Sequence, residues 1–99
     1  MLTKFHRTFT RPNLEVEFPA DPAEFTQYVT DTYVSTGKCV EHRTVSYSED
    51  NLTKTCSSVW SDLAAFAAAA RKDSEYIKNQ EFLAQYCTEN QIIIESWAD

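Results

Sequence analysis

The feature that most constrains this chain is a change of period between Ser57 and Phe66. Up to Trp60, the polar residues Thr53, Thr55 and Ser57 alternate with Leu52, Cys56 and Trp60; beyond it, apolar residues fall at Leu63, Phe66, Ala67 and Ala70. Period two giving way to period 3.6 marks a half-buried strand that runs straight into an amphipathic helix. Ser61 stands where the helix N-cap belongs and Asp62 where an acid complements the dipole of the first turn. Such a junction puts the strand and its helix in adjacent layers, so a sheet covered by helices is the architecture to expect.

The other segments fit that architecture. Residues 2–10 alternate Phe5 and Phe9 with Lys4, His6 and Thr8, the pattern of a half-buried strand. After the break at Arg11-Pro12-Asn13, residues 14–18 alternate again, as an extra short strand or as a bent continuation of the first. Asp21 as N-cap, Pro22 at the first helical position and Glu24 in the first turn predict a helix. Its face is Phe25, Tyr28, Val29, Thr32 and Tyr33, and Gly37, the sole glycine, stands at a left-handed C-cap. Strands from Lys38 to Tyr47 and from Leu52 to Trp60 flank a Ser48-Glu49-Asp50-Asn51 turn, in which Asn51 tolerates positive φ, and pair as a hairpin. The helix from Ser61 reaches Asp73, where Asp73-Ser74-Glu75 either caps a second segment or is absorbed into one long helix. Tyr76, Ile77, Leu83, Tyr86 and Cys87 form the later stripe, and Asn90 is the expected left-handed stop. A last strand, Gln91 to Trp97, holds Ile92, Ile93 and Ile94 in succession, which predicts cover on both faces.

The order β-α-β-β-α-β predicts a single ferredoxin-like α+β domain over residues 1–99, with a four-stranded antiparallel sheet and helices on one face. Because Phe and Ile occupy both strand parities, the open face is expected to be apolar and to need a partner. Two copies pairing face to face as a homodimer, a dimeric α/β barrel, are the simplest cover, with a larger protein assembly as the other.

Val59-Trp60-Ser61-Asp62-Leu63-Ala64-Ala65-Phe66, followed by Asp73, resembles the strand-to-helix segment of dimeric α/β-barrel proteins related to antibiotic biosynthesis monooxygenases. The resemblance spans residues 38–80 and implies a ferredoxin-like fold. It also implies membership of a group that includes cofactor-free oxygenases, haem-degrading enzymes and proteins without known catalysis. The haem-degrading members would place a Trp near Ala69 and a ligating His near Asn79; this chain has neither, which disfavours haem. Separately, Arg11-Pro12-Asn13 running into Val16-Glu17-Phe18 is similar to small proteins of tailed phages and implies a virion or assembly role.

A formal charge of −6, from 15 acids against 9 bases with no cationic stripe, argues against nucleic acid and anionic membrane as partners. The longest apolar runs, Leu63 to Ala70 and Ile92 to Ile94, are too short to span a bilayer, and the opening residues lack the apolar core of a signal peptide. Cys39, Cys56 and Cys87, odd in number and widely spaced, read as buried free thiols. A cytoplasmic protein is the expectation, or a virion component if the phage resemblance holds.

The candidate pocket is His6, His42, Tyr47, Cys56 and Trp60. His6 and His42 fall on strands flanking Leu52 to Trp60, where they could approach Cys56 or Ser58, but His, His and Cys lack metal-ligand spacing, so no metal or other cofactor is expected. No catalytic residue is assigned. The primary expectation is therefore a small, non-catalytic, self-associating structural, assembly or binding module; the alternative is a cofactor-free oxygenase or isomerase acting on a small aromatic ligand inside the barrel.

Overall fold

In the computed structural model, which describes residues 2–99, the elements run β1 (Thr3–Thr10), α1 (Ala23–Val29, continued by a π-helical turn over Thr30–Val34), β2 (Cys39–Tyr47), β3 (Thr53–Trp60), α2 (Leu63–Lys72), α3 (Ser74–Glu89) and β4 (Ile93–Ala98). The sheet has the order β2-β3-β1-β4 with every neighbour antiparallel. This is the ferredoxin-like α+β fold, two β-α-β units split by the β2–β3 hairpin.

Register decides which side chains meet the helices. Phe5 lies opposite Ser58, Arg7 opposite Cys56 and Ser96, and Phe9 opposite Lys54 and Ile94; this set faces the helical layer. The alternate set, His6 with Ser57 and Trp97, Thr8 with Thr55 and Glu95, and Thr10 with Thr53 and Ile93, lies on the open face. That face is mostly Thr, Ser and charged groups, with Val59, Ile93 and Trp97 as its apolar members, so it is not the continuous apolar sheet expected. The last strand also departs from expectation. β4 is an edge strand: Ile92 is buried just before it, Ile94 turns inward, and Ile93 stays 62% exposed.

Trp60 ends β3 fully buried, at the place where the period changes. Its ring packs on Tyr33, Phe66 and Tyr76 at centroid distances of 5.3, 5.5 and 6.3 Å, and Nε1 donates to Ser58 Oγ at 3.1 Å. A second cluster of Phe9, Cys87 and Ile92 closes the other end of the layer.

The caps correct several expectations by one residue. Asp62, not Ser61, is the N-cap of α2, accepting from the Ala65 amide at 2.7 Å. Asp73 separates α2 from α3 and caps the latter through the Glu75 and Tyr76 amides at 2.9 and 3.3 Å. Its other oxygen accepts from the hydroxyls of Tyr28 and Tyr33, which ties α1 to this break. Burial alone would raise the Asp73 carboxyl, but those hydroxyls and amides hold it below the usual carboxylate range. Asn90 remains right-handed at φ −107°, and Gln91 takes the left-handed position at φ 59°. Asn51 and Gly37 adopt positive φ as expected, at 62° and 79°. Residues 14–18 are neither strand nor strand continuation: Asn13 Oδ1 accepts from the amides of Glu15 and Val16, and Arg11 donates to the Val16 carbonyl, fixing an irregular loop.

Trp60→Ala should destabilise the fold by roughly 3–5 kcal/mol, as removal of a fully buried aromatic from a packed core does. Urea unfolding followed by circular dichroism measures this, and a loss under about 1 kcal/mol would contradict the packing described.

Candidate active site

A cavity of about 100 Å³ lies between the sheet and the helices. Its apolar walls include Phe5 and Phe9 from β1, Phe66 from α2 and Leu83 from α3; Arg7, His42, Lys54, Cys56 and Tyr76 supply polar groups. Irregular pairing of β2 contributes to this shape. Its register against β3 shifts between Cys39 and Glu41 and again between Glu41 and Thr44, and bulges of this kind re-aim side chains. His42 sits in that stretch and lines the cavity, and its Nε2 is buried without a hydrogen-bond partner among the described residues. Burial, reinforced by the neighbouring Arg43 and only partly opposed by Asp21, pushes the imidazole pKa below its ordinary value, so His42 is neutral at pH 7.

Asp21 is the residue whose role the sequence pattern misassigned. The N-cap position of α1 is held by Pro22, at φ −58° and ψ 147°, with no side-chain cap. The Asp21 carboxylate, 3% exposed, instead pairs with Arg43 of β2 and accepts from Asn79 Nδ2 of α3 at 2.9 Å. A buried carboxylate needs such partners, and here they tie three walls of the cavity together. Arg7 donates from Nε to Ser96 Oγ at 3.2 Å, and Lys54 donates to the Pro19 carbonyl at 3.4 Å. Burial pushes the Tyr76 hydroxyl up to about 12 despite the nearby Arg7 and Arg43, so it stays a hydrogen-bond donor. Cys39 and Cys87, raised by burial, are thiols rather than thiolates at neutral pH.

Of the sequence-derived candidates, the structure brings His42 and Cys56 to the cavity. Trp60 lies in the core behind it, and Tyr47 is 58% exposed at the sheet edge against Phe18. His6 borders the cavity from β1, but its imidazole belongs to the open face, where it stacks on Trp97. There Nδ1 bonds Ser57 Oγ and Nε2 bonds Asp99 Oδ2, both at 2.7 Å. This resembles a Ser-His-Asp relay, but it sits on a sheet surface, with flanking strands engaged in ladder pairing and Asp99 63% exposed. It serves as a clamp between β1, β3 and the residue after β4. Among the described residues no group of three or more His, Cys, Asp or Glu side chains could hold a metal ion, and no helix is long and apolar enough to cross a membrane. Arg7, Asp21, Tyr76 and Asn79 were absent from the sequence-derived site; Asp21 carried a capping signal that concealed its role, and the others gave none.

The sequence matches no family model and no curated protein. Solved structures do match its fold. A variant of SnoaB, a cofactor-independent oxygenase from Streptomyces nogalater, is 19% identical with a TM-score of 0.61, covering 99% of this chain and 90% of that one. A candidate antibiotic biosynthesis monooxygenase from Deinococcus radiodurans is 12% identical, TM-score 0.56, covering 100% and 90%. A conserved protein of unknown function from Bacteroides thetaiotaomicron, a candidate oxidoreductase, is 13% identical, TM-score 0.58, covering 99% and 95%. The structural neighbours are thus antibiotic biosynthesis monooxygenase-like proteins, as the strand-to-helix resemblance implied. They correct the primary functional expectation: oxygenase-named neighbours favour the cofactor-free oxygenase reading over a non-catalytic module of phage type.

Asp21→Ala leaves Arg43 and Asn79 without their shared acceptor and should lower stability by roughly 2–4 kcal/mol, somewhat under the range for fully buried pairs because Arg43 is partly exposed. Denaturant titration of the variant measures it; a change within about 0.5 kcal/mol would show that this carboxylate does not hold the walls.

Proposed function

We propose that this chain is a small cofactor-free oxygenase of the antibiotic biosynthesis monooxygenase type, acting on a single-ring hydroxylated aromatic in the cavity between sheet and helices. The observation that carries the reading is His42: a neutral imidazole with an unpartnered buried nitrogen, set in a cavity walled by Phe5, Phe9 and Phe66. The size of the cavity limits the ligand. About 100 Å³ is less than the roughly 150 Å³ that admits benzene in an engineered core, so one ring is the upper limit and the side chains around it must move apart to admit it.

Without a cofactor, the substrate itself must reduce oxygen. His42 accepts the phenolic proton, and the electron-rich phenolate that remains donates an electron to O2. Recombination at a ring carbon forms the C–O bond; loss of the ring hydrogen and of one oxygen as water leaves a quinone. One phenol and one O2 give one quinone and one water, and His42 returns its proton to the departing water. Tyr76 and the cavity cations are placed to favour the anionic intermediate. An isomerase would use the same proton transfer without taking up oxygen.

Oxygen-electrode assays on a series of phenols test the proposal. His42→Ala should lower kcat by roughly 10²–10⁴, the usual contribution of a positioned base. Because the base form is required and its pKa lies below the ordinary 6.5, the rate should be flat from neutral pH upward and fall only on the acid side. Oxygen uptake unchanged in the variant would remove His42 from the mechanism; product without oxygen uptake would leave the isomerase.

Self-association through the open sheet face belongs to the same proposal, supported by the exposed Ile93 and Trp97 on that face. Light scattering across a dilution series should give a dimer mass that Trp97→Glu reduces to a monomer; a wild-type monomer would refute the pairing.

A further inference from the structure

We infer that the ring this cavity takes carries a carboxylate, so that the substrates are hydroxylated aromatic acids rather than neutral phenols. The inference rests on the cavity being a ligand site and adds the charge of what it holds. Three cationic side chains line the cavity, Arg7, Arg43 and Lys54, against one carboxylate, Asp21. Asp21 is spent on Arg43. Arg7 and Lys54 have no acidic partner among the described residues; their hydrogen bonds go to a serine hydroxyl and to a backbone carbonyl at the long distance of 3.4 Å.

In a chain of formal charge −6, two cations facing a cavity whose one carboxylate is already paired with Arg43 are not explained by general surface charge. Neither side chain is fully exposed, and Arg7 stands between Phe5 and Phe9 on the inward face of β1, where water alone is a poor counterion. Planar guanidinium matches a carboxylate in two parallel hydrogen bonds, and the adjoining phenylalanines match the ring that bears it. His42, neutral and without a carboxylate function of its own, then remains free for the hydroxyl.

Equilibrium binding tests this independently of turnover. Titration calorimetry with 4-hydroxybenzoate and its neutral isostere 4-hydroxybenzamide should show the acid binding roughly 10- to 100-fold tighter, the range of a charge-assisted hydrogen bond. The preference should weaken as salt rises. Lys54→Gln should reduce it and Arg7→Gln abolish it, with Arg7→Lys restoring part; Lys54→Gln and the salt series keep the test decisive if the Arg7 variants fail to fold. Equal affinities, or tighter binding of the amide, would overturn the inference. Failure of both compounds to bind would overturn it together with the cavity as a ligand site. Preferential binding of the acid without oxygen uptake would uphold the inference and sink the oxygenase, whereas oxygen uptake with no charge preference would do the reverse.

Discussion

The arrangement depends on one carboxylate that has left water. Asp21 stands just before α1, yet its side chain is almost wholly buried and is held by Arg43 from the hairpin and Asn79 from α3. A charge in that position is tolerable only while both partners stay in place, so the pair fixes the separation of the helical layer from the irregular part of β2. That separation is the cavity. Asp73 performs a parallel task at the other side of the layer, where Tyr28 and Tyr33 of the first helical segment close on the break between α2 and α3.

Two kinds of signal were legible in the sequence. Periodicity located β1, β3 and the helix after Trp60, because register parity and the 3.6 repeat are local and strongly patterned there, but it also gave a strand at residues 14–18 that the chain does not form and left the break between α2 and α3 open. Turn chemistry placed Asn51 and Gly37 for the same reason: positive φ is required there and those residues accept it. Errors came where a side chain had a choice between a local amide and a distant partner. Asp21 had every local mark of an N-cap and took the tertiary pair instead. Ile93 was counted toward a face buried on both sides, but strand order puts β4 at the edge, and strand order is not a property of a segment.

The site was legible only in fragments. His42 and Cys56 were reachable by asking which polar residues flank the junction strand. Their neighbours Arg7 and Tyr76 come from β1 and α3, and only the folded chain puts them in one cavity with the hairpin and brings Asn79 against Asp21 at its wall. Trp60, the strongest signal in the sequence, belongs to the support of the site and not to its surface. Its burial against Tyr33, Phe66 and Tyr76 is what sets the back wall. The fold is shared with proteins that bear oxygenase names at identities of 12–19%, which establishes architecture alone; the proposed chemistry rests on His42 and the groups around it.

The central claim is that His42 faces a bound aromatic hydroxyl, and a crystal structure of the protein soaked with a hydroxylated aromatic acid tests it most directly. The account predicts a ring between Phe5, Phe9 and Phe66 with its hydroxyl oxygen about 2.6–3.2 Å from His42 Nε2. A ring bound instead in the groove between α1 and α3, beside Phe25 and Phe82, or a cavity closed by its own side chains, would contradict it.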